Sequence, residues 1–545
     1  MGLKKFVVGA VGIVVVVVPS IFLLVVFLKQ PNQYVAADVK ECRDIGRDIL
    51  KRGGSAVDAA VAVLLCLPLY NPHWTGIGGG SMFTIRENSG NVTIISSRAT
   101  VPKVFNPAVL NCSFQPARNK SIGVPGEIRG FEEAHRLYGK LQWADLFQPA
   151  IKLAREGVKV SRILEYHLQK HCPSIDALPL CQVFYHKNRT RLKHNDMVTY
   201  EKLAATLEVI AEQGADAFYN GTIGRALIND IKSGILSMED LQSFKVKKPG
   251  AWNVSLGEYK MFFPPPPSGG ALIGLILNVM KGYNLTSNSM KGDQQNETYQ
   301  RYVEACKFAL GQRKYIRDLD FSPHKNAAHR LLTEEFAKDV RSKINDSSTQ
   351  DPSYYDLTSS LDPLGTAHVS VIADDGTAVS VTSTINRPFG SLVYSPNTGI
   401  ILNDQLADFC ENGAEVDRVS AGEQPPSTTA PSVLYSEREM LVIGGAGGTR
   451  ITTRIAMAIM NYLWFGKDLK QAIEDRVVFV ETQNVKQTET FTLQFEKGFN
   501  QAVKDGLKNK GHSITEEFMK NGTAVNGVLK KGSSITAWSD SRRQD

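Results

Sequence analysis

The chain has 545 residues, of which 42% are hydrophobic and 21% charged, and its formal net charge is +7. That length can bury a large core, and the composition is ordinary for a globular protein. The basic excess is thinly spread with no long basic run, so a solvated surface accounts for it and nucleic acid is not an expected partner.

Residues 6–28 are apolar apart from Ser20 and carry no charge. They suffice for a helix across a bilayer, at about 20 residues per span, and Pro19 is tolerated in such a helix. Lys4 and Lys5 precede the stretch and Lys29 follows it, which biases the amino terminus toward the cytosol. A cleaved signal peptide is the competing reading. Its apolar region is usually shorter and ends in small residues, whereas this one ends Val25-Val26-Phe27-Leu28-Lys29. The expectation is a single-pass, type II signal-anchor in the cell membrane: residues 1–5 a cytoplasmic tail, residues 6–28 the span, the rest extracellular. Asn91, Asn111, Asn119, Asn188, Asn220, Asn253, Asn284, Asn296, Asn345 and Asn521 each open an Asn-X-Ser/Thr sequon. All lie beyond the span, which favours a glycosylated body.

Seven cysteines is an odd number for an exposed ectodomain. Cys42 and Cys66 flank an amphipathic helical pattern and suit a staple, and Cys172 and Cys181 can close a small loop. Cys112, Cys306 and Cys410 remain, so at least one thiol stays free. The spacings fit no zinc site and the histidines are scattered, so neither a metal nor a cofactor is called for.

Residues 35–69 read as two helices joined at Gly53-Gly54, with Ser55 and Asp58 forming a capping box for the second. Gly76-Ile77-Gly78-Gly79-Gly80 follows, then two alternating segments. A dinucleotide loop needs a strand before its glycines and a helix after them; the order here is reversed. Residues 127–235 are mainly helical in pattern. Pro264 to Pro267 with Ser268-Gly269-Gly270 form a stiff loop, placed between a strand and a helix over 271–280, and are expected near a site. Residues 286–297 and 345–360 are expected to be exposed and mobile.

The informative stretch is 365–386. Residues 366–372 alternate as a strand, Asp374-Asp375-Gly376 supply a turn, and 378–384 alternate again. With the turn near Asp375, antiparallel register sets Thr384 beside Thr366. An ordinary hairpin rich in β-formers reads the same way. Two features favour chemistry. Residues 361–365 form a flexible lead-in where a backbone can be cut, and a threonine freed there carries an α-amine with an unperturbed pKa near 8, able to act as base for its own hydroxyl. Residues 440–449 then read as a strand, a glycine loop and a helix start, which offers amides to an anion. Arg450 after Thr449 breaks the nucleotide-loop pattern, so an oxyanion hole fits better.

These residues resemble the γ-glutamyltransferase (glutathione hydrolase) family over nearly the whole ectodomain. The likeness is carried by Thr366-Ala367-His368 through Ser383-Thr384-Ile385-Asn386, by Gly53 to Ala60, by Gly76 to Gly80, by Gly123-Val124-Pro125-Gly126-Glu127 and by Gly447-Gly448-Thr449. The resemblance implies an α/β (α+β) N-terminal-nucleophile hydrolase, an αββα sandwich made from one precursor. Residues 29–365 would form a large subunit and 366–545 a small one. Thr366 would be the nucleophile with Thr384 hydrogen-bonded to it. Arg98 would hold the substrate α-carboxylate, assisted by Ser427 and Thr428. Asn386, Gln405 and Asp408 would hold the α-ammonium, and Gly447 and Gly448 would supply the oxyanion amides. The implied substrates are glutathione and other γ-glutamyl conjugates, with water or an amino acid or dipeptide as acceptor.

The sequence also departs from the family. Gln405 stands where animal members often carry Glu, Ala99 replaces the usual Glu after Arg98, and Thr428 replaces the second serine of a pair. Tyr185 occupies the place of Cys181's usual neighbour, so the family pattern leaves the partner of Cys181 open, with Cys172 a candidate substitute. Residues 387–390 and 394–396 look more like the leukotriene-C4-cleaving branch. Two rival readings remain: an inert membrane-anchored binding ectodomain of the same fold, and an amidase of the same nucleophile class acting on acyl-amino acids.

Overall fold

In the computed structural model of the chain, residues 34–107, 110, 120–231, 234–357, 365–412, 419–485, 488–515 and 522–544 are described. The apolar segment 6–28, the lead-in 361–364, the sequons at Asn111, Asn119 and Asn521, and Cys112 lie outside them. Among the described residues, no helix is long and apolar enough to cross a membrane.

Two antiparallel sheets are stacked between helices. The strands of these sheets and of one further hairpin are, in chain order, β1 (Val35–Ala36), β2 (Gly80–Arg86), β3 (Val92–Ser96), β4 (Trp252–Leu256), β5 (Tyr259–Phe263), β6 (Gly365–Ile372), β7 (Ala378–Asn386), β8 (Ser432–Tyr435), β9 (Glu439–Ala446), β10 (Val478–Val485), β11 (Thr488–Phe495), β12 (Ala524–Lys531) and β13 (Ser534–Ser539). The first sheet has the order β1-β6-β7-β2-β3 and the second β13-β12-β9-β8-β5-β4, while β10 and β11 pair as a separate hairpin. Helices α1 (Lys40–Lys51), α2 (Ala56–Tyr70) and α3 (Glu127–Tyr138) belong to the layer over the first sheet; α4 (Gly270–Lys281), α5 (Gly292–Gly311) and α6 (Arg450–Leu463) cover the second. The expected αββα layering is present.

Strand alternation accounts for the layers. Ala367, Val369 and Val371 of β6, with Val379 and Val381 of β7, join the helix-side core of the first sheet. The residues between them face the other sheet, and that seam is unusually polar. Thr84 Oγ1 donates to Pro431 O at 2.8 Å, Ser380 Oγ to Ile443 O at 3.1 Å and Ser370 Oγ to Asn526 O at 3.2 Å. His368 lies between Thr382 Oγ1 (2.8 Å) and Ser370 Oγ (2.9 Å). Burial pushes its imidazole down to about 3, so it is neutral and structural. Gly444 makes room for it: a Cβ there would lie 2.2 Å from His368 Cε1.

The capping box of α2 forms as expected, with Ser55 Oγ accepting from the Asp58 amide and Asp58 from the Ser55 amide. Residues 35–36 are a strand rather than the start of a helix, because they pair with Val371 and Ser370 at the sheet edge. Residues 286–297 are largely exposed but ordered into a short 3-10 turn and the start of α5. The stretch 345–360 was expected to be exposed, yet within it Tyr355 is buried and donates to Glu304 Oε2 at 2.6 Å. Thr349 bonds the same glutamate at 2.9 Å. These contacts hold the segment against α5, beside the buried Lys307 and His512.

Disulfides join Cys42 to Cys66 and Cys172 to Cys181. Cys410 is also disulfide-bonded, and Cys306 is a buried free thiol. Asn91, Asn188, Asn220, Asn253, Asn284 and Asn345 are exposed. Asn296 is not open in the same way: its Oδ1 is buried and its amide packs on Gly506.

Candidate active site

Thr366 and Thr384 come to one end of the first sheet. The turn falls where the sequence places it, with Gly376 at φ +83°. Register runs regularly from Ile372↔Ala378 to Ala367↔Ser383, then shifts before Gly365↔Asn386. The irregularity therefore sits at Thr366, opposite Thr384 and Ile385. Thr384 Oγ1 donates to the carbonyl of Gly365, not to the Thr366 hydroxyl, and accepts from the Asn386 amide at 2.7 Å. This corrects the expected pairing of the two hydroxyls. Gly79 explains part of the glycine run, since a Cβ there would lie 2.2 Å from Thr384 O. Asn386 has φ +79°, and Phe389 and Leu392 that follow have φ +59° and +61°. Such backbone strain collects where a site fixes its geometry.

Arg98, just beyond β3, is buried. Its Nε donates to Pro425 O at 2.6 Å and its Nη2 to Pro426 O at 2.8 Å. It also pairs with Asp408, although the sequence reading gave the two opposite jobs on one ligand. Asp408 Oδ1 is buried and has no hydrogen-bond partner among the described residues. A buried acceptor without a donor is costly, so this oxygen marks a place for one. Gln405 occupies a different role from the expected ligand contact. Its Nε2 donates to Thr384 O at 2.7 Å and its Oε1 accepts from the Ala99 amide at 3.0 Å, so both ends of the amide brace the backbone. Asn386 Nδ2 likewise donates to Asp404 O at 3.0 Å.

The segment after Pro426 carries this clamp to the glycine loop. Ser427 is half-buried with its Oγ 3.0 Å from Thr429 Oγ1, and Thr428 Oγ1 donates to Gly448 O at 2.9 Å. Gly447 and Gly448 follow β9 with φ +125° and +62°. Among the described residues, neither of their amides donates a hydrogen bond. A Cβ on Gly447 would meet Thr523 at 2.4 Å. The carbonyl of neighbouring Gly522 is bonded by Arg543, which also donates to Thr366 O at 2.6 Å. That chain of contacts sets the glycine loop at the Thr366 end of the sheets.

Sequence reading missed several of these groups. Arg543 and Asp38 are far from Thr366 in the chain and belong to no motif. Gln424 ties the clamp down, with its Nε2 donating to Arg98 O at 3.1 Å. Glu127 closes the Gly123–Glu127 motif and has no role assigned from sequence; it is buried against Ser383 and Ser81, without a well-formed hydrogen bond among the described residues. Burial pushes its carboxyl up to about 8, and the two nearby hydroxyls oppose this only partly.

Residues 42–545 match the family model described as gamma-glutamyltranspeptidase. A rat protein named glutathione hydrolase 5 proenzyme is 40% identical over 93% of this chain and 91% of its own length. A Helicobacter pylori gamma-glutamyltranspeptidase structure is 27% identical with a TM-score of 0.53, covering 58% of this chain and 92% of that one. A Bacillus halodurans cephalosporin acylase structure superposes with a TM-score of 0.81 over 94% of both chains; at 22% identity it speaks for the fold alone.

Proposed function

The chain belongs to the γ-glutamyltranspeptidase family, and on that premise we propose that it is a glutathione hydrolase and γ-glutamyltransferase that cuts itself between Gly365 and Thr366. The observation that carries this reading is the brace of Gln405, which joins the Thr384 carbonyl to Ala99 and so sets the Arg98–Asp408 clamp beside the threonine hairpin. A clamp for an amino-acid head and a nucleophile thus share one frame.

In the precursor, the Thr366 hydroxyl attacks the Gly365 carbonyl, whose oxygen is polarised by the Thr384 hydroxyl. The peptide bond becomes an ester, water hydrolyses it, and Thr366 is left with a free amine. The name proenzyme on the rat relative agrees with a processed precursor. Residues 29–365 and 366–545 are then large and small subunits.

In turnover, that amine accepts the hydroxyl proton and Thr366 Oγ attacks the γ-carbonyl of the substrate. Arg98, assisted by Ser427 and Thr428, holds the α-carboxylate through the positive charge of its guanidinium, whose Nε and Nη2 are kept in place by Pro425, Pro426 and Asp408. The open oxygen of Asp408 receives the α-ammonium. The oxyanion rests on the Gly447 and Gly448 amides, a device that contributes about 3 kcal/mol per donor elsewhere. The amine of the leaving group takes the proton and departs, and water or an amino acid or dipeptide amine releases the γ-glutamyl ester. All recognition falls on the glutamyl half, so S-conjugates of the leukotriene C4 type belong to the same substrate class. Residues 6–28 would anchor the enzyme at the cell surface, with exposed sequons such as Asn91 and Asn345 carrying glycans.

Thr366→Ala tests the core of the reading. Denaturing electrophoresis after deglycosylation should show two bands for the native chain and one for the variant, and glutamate release from glutathione should vanish. A variant that is still cut and still active overturns it, and an uncut, inactive native chain restores the inert alternative.

A further inference from the structure

Thr366 is the residue of β6 that falls within the register shift, between the pairs Gly365↔Asn386 and Ala367↔Ser383. Its carbonyl is instead bonded by Arg543 Nη1 at 2.6 Å, from 177 residues away in the chain. The guanidinium is itself fixed on every side. Nη1 also pairs with Asp38 Oδ2 at 3.0 Å, and Nε donates to Gly522 O at 3.0 Å. Nη2 reaches the same carbonyl, and Cζ lies 3.7 Å above the centre of the Trp74 ring. Asp38 is held in turn, with its Oδ1 accepting from Asn526 Nδ2 at 2.8 Å. Side-chain exposure is 0% for Arg543 and 1% for Asp38.

A buried ion pair contributes little net stability, because desolvation offsets its attraction. Its placement on the carbonyl of one particular threonine therefore needs another reason. Before cleavage Thr366 is restrained on both sides by the continuous chain. Once the bond to Gly365 is cut, its amino side is free, and the strand ladder beside it is interrupted. We propose that Arg543, anchored by Asp38, is a positioning residue that holds the freed Thr366 in attacking geometry. It acts through the backbone carbonyl and touches no substrate. Fixing that carbonyl fixes the Cα, and with it both the hydroxyl and the amine that must act together. A nucleophile needs placement within about 0.5 Å, and a misplacement of about 1 Å can cost about 100-fold in rate. The bond also ties Asp38 of the large-subunit region to Arg543 and Thr366 of the small one, so the clasp survives cleavage.

The inference rests on Thr366 being the nucleophile, and the test separates the two. The full-length native chain, Arg543→Ala, Arg543→Lys and Asp38→Asn are assayed for kcat and KM on a γ-glutamyl amide, with the cut bands and melting temperature recorded. Arg543→Ala should lose about 10- to 100-fold in kcat with KM within about threefold, and Arg543→Lys, keeping one donor for the carbonyl, should recover most of the loss. If Arg543→Ala does not fold or is not cut, Asp38→Asn decides, with a kcat about three- to tenfold lower at unchanged KM expected. Native kcat in Arg543→Ala, or in Asp38→Asn when the alanine variant fails, overturns the proposal, as does a rise in KM that accounts for the whole effect. A native chain that releases no glutamate defeats the nucleophile reading instead.

Discussion

Arg98 and Arg543 are both buried, both paired with an aspartate and both at the threonine end of the sheets, yet their surroundings differ in one respect. The aspartate beside Arg98 has an oxygen with no donor among the described residues. The aspartate beside Arg543 has both oxygens engaged, one by Asn526 and one by the guanidinium. An ion pair with an open acceptor is incomplete without a ligand; one with every position filled belongs to the scaffold. The distinction between binding and positioning is thus read from the partner carboxylate, since the arginines alone look alike.

The strongest way to break that comparison is Arg98→Gln. It removes the guanidinium charge and leaves Asp408 buried without its cation, a loss of the kind that costs about 3–5 kcal/mol. We expect kcat/KM to fall at least about 100-fold, measured by glutamate release; a drop confined to melting temperature would make Arg98 a purely structural residue, with neither a binding role nor the positioning role proposed for Arg543. Asp408→Asn is milder and sharper. It keeps the shape and removes the charge, so KM for the γ-glutamyl donor should rise about 10- to 100-fold, in line with about 1.5–3 kcal/mol for a charge-assisted hydrogen bond. Unchanged KM would mean that the open oxygen receives no ammonium.

Glu127 extends the comparison to a buried carboxyl with no ion pair among the described residues, and its expected effect is on stability. Its folded value of about 8 stands above the ordinary 4.5. Between those values the folded protein keeps a proton that the unfolded chain has released, so stability falls as pH rises through that window and the loss is complete above about 8. Glu127→Gln removes the dependence. Denaturant melts at pH 5 and pH 8.5 should show the variant gaining, relative to the native chain, on the order of a few kcal/mol at the higher pH. An equal difference at both pH values would sink the assignment.

Much of the fold was legible because its signals are local. The hairpin 365–386 alternates, its turn contains Gly376 at the required positive φ, and the capping box at Ser55 begins α2. The threonines, Arg98, Asp408 and the glycine pair could be named from a family resemblance, and the fold brings them together. What sequence could not give was contact order. Nothing near Arg543 announces Thr366, and nothing near Asp38 announces either. The family resemblance assigns Gln405 to the ligand, whereas its two amide ends are engaged by Thr384 and Ala99. The break in register at Thr366 was likewise invisible, since strand patterning specifies faces and not single irregular pairs. Tyr355 was hidden for a simpler reason: a polar run looks solvated until a buried glutamate is found beneath it.

The hydroxyls of Thr84, Ser370 and Ser380 reach across the seam to carbonyls of the opposite sheet. An oily seam tolerates sliding, because one methyl group substitutes for another; these three bonds work like the teeth of a vernier and admit a single alignment. The threonine rides on one sheet and the glycine loop on the other, and a slip of one residue would separate them by about 3.3 Å. On the proposed roles of Thr366 as attacker and the Gly447 and Gly448 amides as anion cradle, that displacement is several times larger than the reaction can tolerate, and the polar seam would set the distance between them before any substrate arrives.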